Sequence, residues 1–392
     1  MKIVGYAYPW DYAGDADAAQ RALDVGVDVV ALAASYHATR AASPLSPTRR
    51  LFDVPESACY VPVREEIWRG HRLVPSPPTW SDDRDLFGTA ASRLAQVGLD
   101  AEAWIVLTHH DQLARGHPDL AVRNAFGDVY PYALCPSSPD VRDYCVTLSD
   151  EIVRSSGCRG VVLEACGPMG LEHASLHDKS EFASWSSTAQ QLLSICFCDA
   201  CARTFTGLGI DVNRLGQLVR DGVDSGADSV EESLGSELAD AVASYRGSLS
   251  AQLRQDIVRR VHEVRDVAVT VHASGNRWST GAFPASGDAG SFAGVTSVVA
   301  NCWDRSTARA ELSTLAHVVD DRCRLGAYLR LDRGWDESAI DVAVDEYVVS
   351  GATELHLYHL GLLSRPGLAT ARQVARAGRE RSAVSKSAGS SP

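Results

Sequence analysis

Eight apolar, β-branched runs recur along the chain, at residues 2–9, 28–37, 101–110, 160–167, 267–274, 295–303, 324–332 and 353–362. Stretches between them, such as 16–25, 141–155, 306–319, 337–349 and 369–378, repeat their apolar positions every three or four residues, the period of a helix. Strands separated by helix-length connections pair in parallel, and strands that read as continuous apolar runs are covered on both faces. Eight such units predict an α/β fold, a closed (β/α)8 TIM barrel. A doubly wound open sheet is the alternative, but no GxGxxG follows the first strand.

This alternation accounts for residues 1–381 as a single barrel domain with two enlarged connections. Residues 38–94 hold several prolines, including Pro75-Ser76-Pro77-Pro78, and read as an extended loop with one helix. Residues 168–266, after the fourth strand, read as an inserted Cys-rich zinc subdomain that continues into an acidic helical stretch at 221–240. The Ser-, Ala- and Lys-rich segment 382–392 reads as a disordered tail.

Lys plus Arg number 37 against 50 Asp plus Glu, a formal net charge of −13. A surface this acidic repels phosphate backbones and anionic lipid, which argues against nucleic acid and membrane as partners. Acids stand where a secretory signal would carry its cleavage site, so a cytoplasmic location is expected. In that compartment cysteines are thiols or metal ligands rather than disulfides. Homo-oligomerisation is left open.

Cys196, Cys198 and Cys201 form a CxCxxC group among ten cysteines. Thiolates suit zinc, which takes four of them tetrahedrally. Cys135, in the loop before the helix that leads to the fourth strand, is the first choice for the fourth ligand. Cys166, His173 and His177 are alternatives. Four sulfurs leave no open coordination position, so the expected role is structural.

Chemistry in such a barrel sits where the strands end on their carboxyl side. Those ends supply Tyr8, Trp10 and Asp11, then His37, His109 and Glu164, and later Trp303, Asp304, Arg330, Asp332, Tyr358 and His359. His173 and His177 lie just after the fourth. Aromatic faces stack on sugar CH groups while carboxylates supply acid, base and nucleophile, so the inventory suits a carbohydrate. Glu164 follows Gly160-Val161-Val162-Leu163, and apolar walls around a carboxyl raise its pKa as a general acid requires. Asp332 or Asp304 is the second carboxylate of such a pair. The expected activity is hydrolysis of a glycosidic bond in a small sugar conjugate. Binding without turnover, or a lyase or isomerase with His37, His109 or His359 as base, are the alternatives.

The same residues resemble glycoside hydrolases of the family 42 β-galactosidase type. Gly5-Tyr6-Ala7-Tyr8-Pro9 is similar to that family's opening strand, and Leu134-Cys135-Pro136-Ser137-Ser138-Pro139 with Arg142 to its Cys-x-x-Ser-Pro segment. Glu164 with Gly167, then the cysteine group with Ala202-Arg203-Thr204-Phe205, follow in the family's order, over residues 5–218. The resemblance implies Glu164 as acid/base and Cys135, Cys196, Cys198 and Cys201 as ligands of one structural zinc. Leu163 stands where the family has Asn, and the seventh strand ends in Arg330-Leu331-Asp332 rather than in Glu. A shortened relative of altered substrate or mechanism is therefore expected.

Overall fold

The computed structural model describes residues 1–171, 183–287, 290–320, 322–331 and 335–388, with side chains of the last helix described as far as Arg381. Eight parallel strands form a closed barrel: β1 (Lys2–Ala7), β2 (Val29–Tyr36), β3 (Asp100–Val106), β4 (Gly160–Glu164), β5 (Ala268–His272), β6 (Ser297–Asn301), β7 (Arg324–Arg330) and β8 (Glu354–Tyr358). Each pairs with the next, and β8 returns to β1 with Lys2 opposite Glu354 and Val4 opposite His356. The expected (β/α)8 barrel is thus the fold, with every strand inside its expected run to within a residue.

Outer helices α1 (Ala18–Val25), α2 (Leu86–Gln96), α3 (Pro139–Ser156), α4 (Ser236–Val264), α5 (Arg305–Ala316), α6 (Glu337–Val349) and α7 (Arg365–Ala388) cover the strands. Local chemistry fixes their ends. Asp85 caps α2 by accepting from the Gly88 N–H at 2.9 Å, and α3 starts at Pro139 and stops at Gly157, whose φ of +63° suits glycine. The β5–β6 connection has no helix among the described residues. Buried Arg254 of α4 holds that loop instead, donating to the Ser291 and Ser286 carbonyls at 2.9 and 2.8 Å.

Three expectations need correction. Residues 38–94 are not a plain extended loop: Thr39–Ala42 and Leu51–Val54 pair as an antiparallel hairpin, and Ala58–Cys59 adds to the end of β2. The surrounding prolines mask the alternating exposed and buried positions of Leu51–Val54. Second, 168–266 includes α4, which is the barrel's own helix and packs along α3. The inserted part carries helices Ser187–Leu193, Asp199–Gly207, Val212–Ser225 and Val230–Leu234. Third, α7 runs past Arg381 to Ala388.

Candidate active site

Residues two apart on a strand share a face, so one set from each strand fills the barrel. Here that filling is unusually polar and aromatic. Tyr6 of β1 meets Trp104 of β3 and Tyr328 of β7 edge-on, with centroids 5.0 and 4.8 Å away, and touches His272 of β5 and His356 of β8.

Glu164 closes β4 above this layer and is 7% exposed. Its Oε2 accepts from Trp104 Nε1 at 2.9 Å and lies 3.5 Å from His272 Nδ1. Burial pushes its carboxyl up to about 8 despite the opposing hydrogen bond from Trp104. A neutral carboxyl therefore waits at the barrel mouth at pH 7. The folded side chain keeps its proton up to about 8, whereas the ordinary glutamate value is 4.5. The folded state binds the extra proton across that window, so this group's contribution makes stability fall as pH rises through it, at most about 1.4 kcal/mol per pH unit. Thermal melts of Glu164→Gln and wild type should then separate progressively in the variant's favour from pH 5 to pH 8. A constant gap would contradict the raised value.

Aromatic rings wall the mouth. The Tyr8 hydroxyl donates to the Tyr36 hydroxyl at 3.3 Å, and the Tyr8 ring lies 4.1 Å from that of His359. Trp303 lies nearly parallel to Tyr328 at 5.9 Å, is 5.1 Å from Tyr358, and is 38% exposed. The Arg330 guanidinium sits 5.3 Å from the Trp303 ring centroid. A cleft of about 500 Å³ opens beside the ends of β7 and β8, lined by Arg330, Trp335, Tyr358 and His359 among others. His359 is buried, burial lowers its pKa to about 3, and neither ring nitrogen has a hydrogen-bond partner among the described residues.

Other expected site residues go elsewhere. Trp10 is 3% exposed and wedged against Phe52, Tyr60 and Trp80, so it packs the hairpin onto the barrel rather than facing a ligand. Asp11 accepts from the Tyr8 N–H at 2.9 Å and the Ser43 hydroxyl at 3.0 Å, with burial pushing its carboxyl up to about 7. Those bonds tie the end of β1 to the hairpin. Asp304 is exposed and caps α5, accepting from the Ser306 N–H at 2.9 Å and hydroxyl at 2.7 Å; these bonds hold its carboxyl below the usual range. In this structure its carboxylate thus serves as the cap of α5. His37 and His109 stack with ring centroids 4.1 Å apart beside Tyr36. Asp332, His173 and His177 lie outside the described residues. Tyr6, Trp104, His272, Tyr328 and His356 are not among the site residues expected from the sequence. The available signal was polar or aromatic residues recurring at period two within apolar runs.

Away from the mouth, the sulfurs of Cys135, Cys196, Cys198 and Cys201 lie within 4.8 Å of one another. Cys135 Sγ and Cys201 Sγ are 3.5 Å apart, and the backbone N–H groups of Arg123 and Cys198 donate to Cys196 Sγ at 3.5 and 3.4 Å. A metal tetrahedron with bonds of about 2.3 Å needs sulfurs roughly 3.8 Å apart, so the group can hold an ion. None of the four is in a disulfide. Cys166 stands outside this group.

No protein-family model and no curated protein matches the chain. Solved structures do. The catalytic domain of β-amylase from Paenibacillus polymyxa superposes with a TM-score of 0.60 at 13% identity, over 96% of this chain and 98% of that one. The chain shares its barrel fold. The PgaB (BpsB) glycoside hydrolase domain from Bordetella bronchiseptica gives 0.57 at 14% identity, over 96% and 99%. Alpha-L-fucosidase isoenzyme 2 from Paenibacillus thiaminolyticus gives 0.57 at 11% identity, over 98% of this chain and 50% of that one. This chain thus spans half the length of the fucosidase.

Proposed function

We propose that the chain hydrolyses a glycosidic bond in a small sugar conjugate, with Glu164 as general acid/base, as a divergent relative of the family 42 glycoside hydrolases. One observation carries this reading: a buried carboxyl, protonated at neutral pH, stands at the carboxyl end of β4 beneath an aromatic wall. Such a group gives its proton to the departing glycosidic oxygen. Trp104 keeps Oε2 in place and supplies a hydrogen bond to the carboxylate that forms. Asp332, two residues beyond the end of β7, is the proposed partner that attacks the anomeric carbon or activates water. Tyr8, Trp303 and Tyr358 shape the sugar subsite, with Arg330, His37 and His109 at its rim.

Zinc is the ion proposed for the four thiols, and it supplies structure rather than chemistry because four sulfurs complete its coordination. Buried Arg246 of α4 offsets part of the charge of the thiolates, and Cys196 and Cys201 in turn oppose the lowering of its pKa by burial. The cytoplasm, which keeps thiols reduced, is the proposed location.

Trp303 is the exposed plate of the subsite. Trp303→Ala should raise KM roughly ten-fold, the equivalent of about 1.4 kcal/mol of stacking, with a smaller change in kcat. An unchanged KM would remove Trp303 from the subsite.

Binding without turnover is the second reading, favoured by the capping role that occupies Asp304. A panel of glycosides offered to wild type and Glu164→Gln separates the two. Product from wild type alone supports hydrolysis. Calorimetric sugar binding with no product supports the second reading, and turnover that survives Glu164→Gln overturns the assignment of the acid.

A further inference from the structure

The cleft beside the carboxyl ends of β7 and β8, about 500 Å³, falls in the range of roughly 300–1,000 Å³ for small-molecule sites. Three features of its wall call for a ligand. His359 lines it, is 1% exposed, and has no hydrogen-bond partner on either ring nitrogen among the described residues. Buried polar groups normally find partners, and leaving them without one costs stability. Asp11 Oδ2 is 4.0 Å from His359 Nδ1, beyond hydrogen-bond reach, and already accepts from the Tyr8 N–H at 2.9 Å. Burial lowers the pKa of His359 to about 3 and so keeps its ring neutral.

The start of α7 forms a second part of the wall, through Ser364, Pro366 and Gly367. A helix concentrates partial positive charge in its first turn, and this one holds no acid there to answer it. Arg330 is the third feature. Among the lining residues it alone carries a full charge, in a chain whose formal net charge is −13. Its guanidinium has five N–H groups in a fixed fork, so it can hold a ligand oxyanion alongside neighbours such as the Trp303 ring. Leu331, Leu362 and Leu363 lower the local dielectric and strengthen its pull. Asp336, next to the wall residue Trp335, is used to cap α6, accepting from the Ala339 N–H at 2.8 Å.

We propose that this cleft is a subsite for a sugar that carries an oxyanion, either a carboxylate or a phosphate. Arg330 and the start of α7 take the oxyanion, and His359 takes a sugar hydroxyl. A hydroxyl both donates and accepts, so it matches a neutral imidazole whichever nitrogen holds the proton. A helix start and a guanidinium both favour an anion, and a neutral sugar would leave them unanswered. Tyr358 joins the cleft to the acid: it lines the cleft, its ring centroid is 6.4 Å from that of Trp104, and Trp104 donates to Glu164. The inference names the substrate class of the proposed hydrolysis and rests on that reading only for the cleavage step.

Calorimetry on the full chain at fixed ionic strength tests the subsite without turnover. The probes are glucose and galactose, their 6-phosphates, glucuronate, galacturonate and inorganic phosphate. At least one acidic sugar should bind about ten-fold or more tighter than its neutral parent, and its being a phosphate or a uronate identifies the oxyanion. Arg330→Gln should abolish that preference and leave the affinity for the neutral parent in place. His359→Phe should weaken acid and parent alike by roughly ten-fold without lowering Tm. The apolar ring removes the unmet hydrogen-bonding groups and keeps the packing on Tyr8, whose ring centroid lies 4.1 Å away. A wild-type chain that binds no acidic sugar more tightly than its parent overturns the proposal, even if both variants fail to fold. So does a preference that survives in folded Arg330→Gln. Inorganic phosphate bound as tightly as the sugar phosphates overturns recognition of the sugar, and unchanged affinity in folded His359→Phe overturns the role of His359. Acid binding with no glycoside hydrolysed counts against the proposed function and leaves the subsite standing. Turnover of neutral glycosides with no preference for acidic ones does the reverse.

Discussion

Replacing Glu164 by Gln should cut kcat/KM for an unactivated glycoside by about 10²–10⁴-fold, the usual contribution of a positioned general acid. The amide is the same size, and its oxygen can still accept from Trp104 Nε1, so the fold and the aromatic wall persist. What disappears is the proton that Glu164 holds up to about pH 8. The loss should shrink on substrates with an acidic leaving group, because those depart without protonation. That dependence on leaving group separates a missing acid from a damaged subsite, which would penalise both substrate types alike. In wild type the same proton should set the alkaline limb of the rate profile, activity falling as pH rises through about 8.

The second large effect lies at the thiols. Purified chain should carry one zinc, and Cys198→Ser should lose it, with a fall in Tm on the order of 10 °C. Cys135 precedes α3, while Cys196, Cys198 and Cys201 belong to the insertion after β4. An ion held by all four staples two segments that are far apart in sequence and whose closure is otherwise entropically costly. The insertion's other ties include the Phe197 N–H to the Arg123 carbonyl at 2.6 Å and the burial of Leu192, Ile195 and Phe205. Metal analysis and melting of both proteins check this. A metal-free wild type with an unchanged melting curve in the variant would remove the structural role.

How much of this was legible in the sequence depended on what each residue's neighbours were. Strands such as Val29–Tyr36 are buried on both faces and read as unbroken apolar runs, so all eight could be found. The CxCxxC spacing likewise carried its own meaning, and Cys135 was reachable as the isolated cysteine before α3. Glu164 stood out as a carboxyl ending an apolar run. The polar contacts inside the barrel did not, because Tyr6, His272 and His356 each sit alone within an apolar strand and meet only when β1, β5 and β8 close the barrel. The capping place of Asp304 was legible too, since Ser306 behind it and the helical pattern that follows form an N-cap signature. Trp10 was taken for a sugar platform because the hairpin that buries it was not recognised.

Everything functional here turns on Glu164 holding a proton at neutral pH. Carbon-13 NMR of the side-chain carboxyls, titrated in wild type and in Glu164→Gln, measures this directly. Asp11 should also titrate late, at about 7, and should remain in the variant. One further carboxyl should titrate near 8 in wild type and vanish from the variant. If the signal lost on substitution titrates near the ordinary glutamate value of 4.5, Glu164 is ionised at neutral pH and is not the acid.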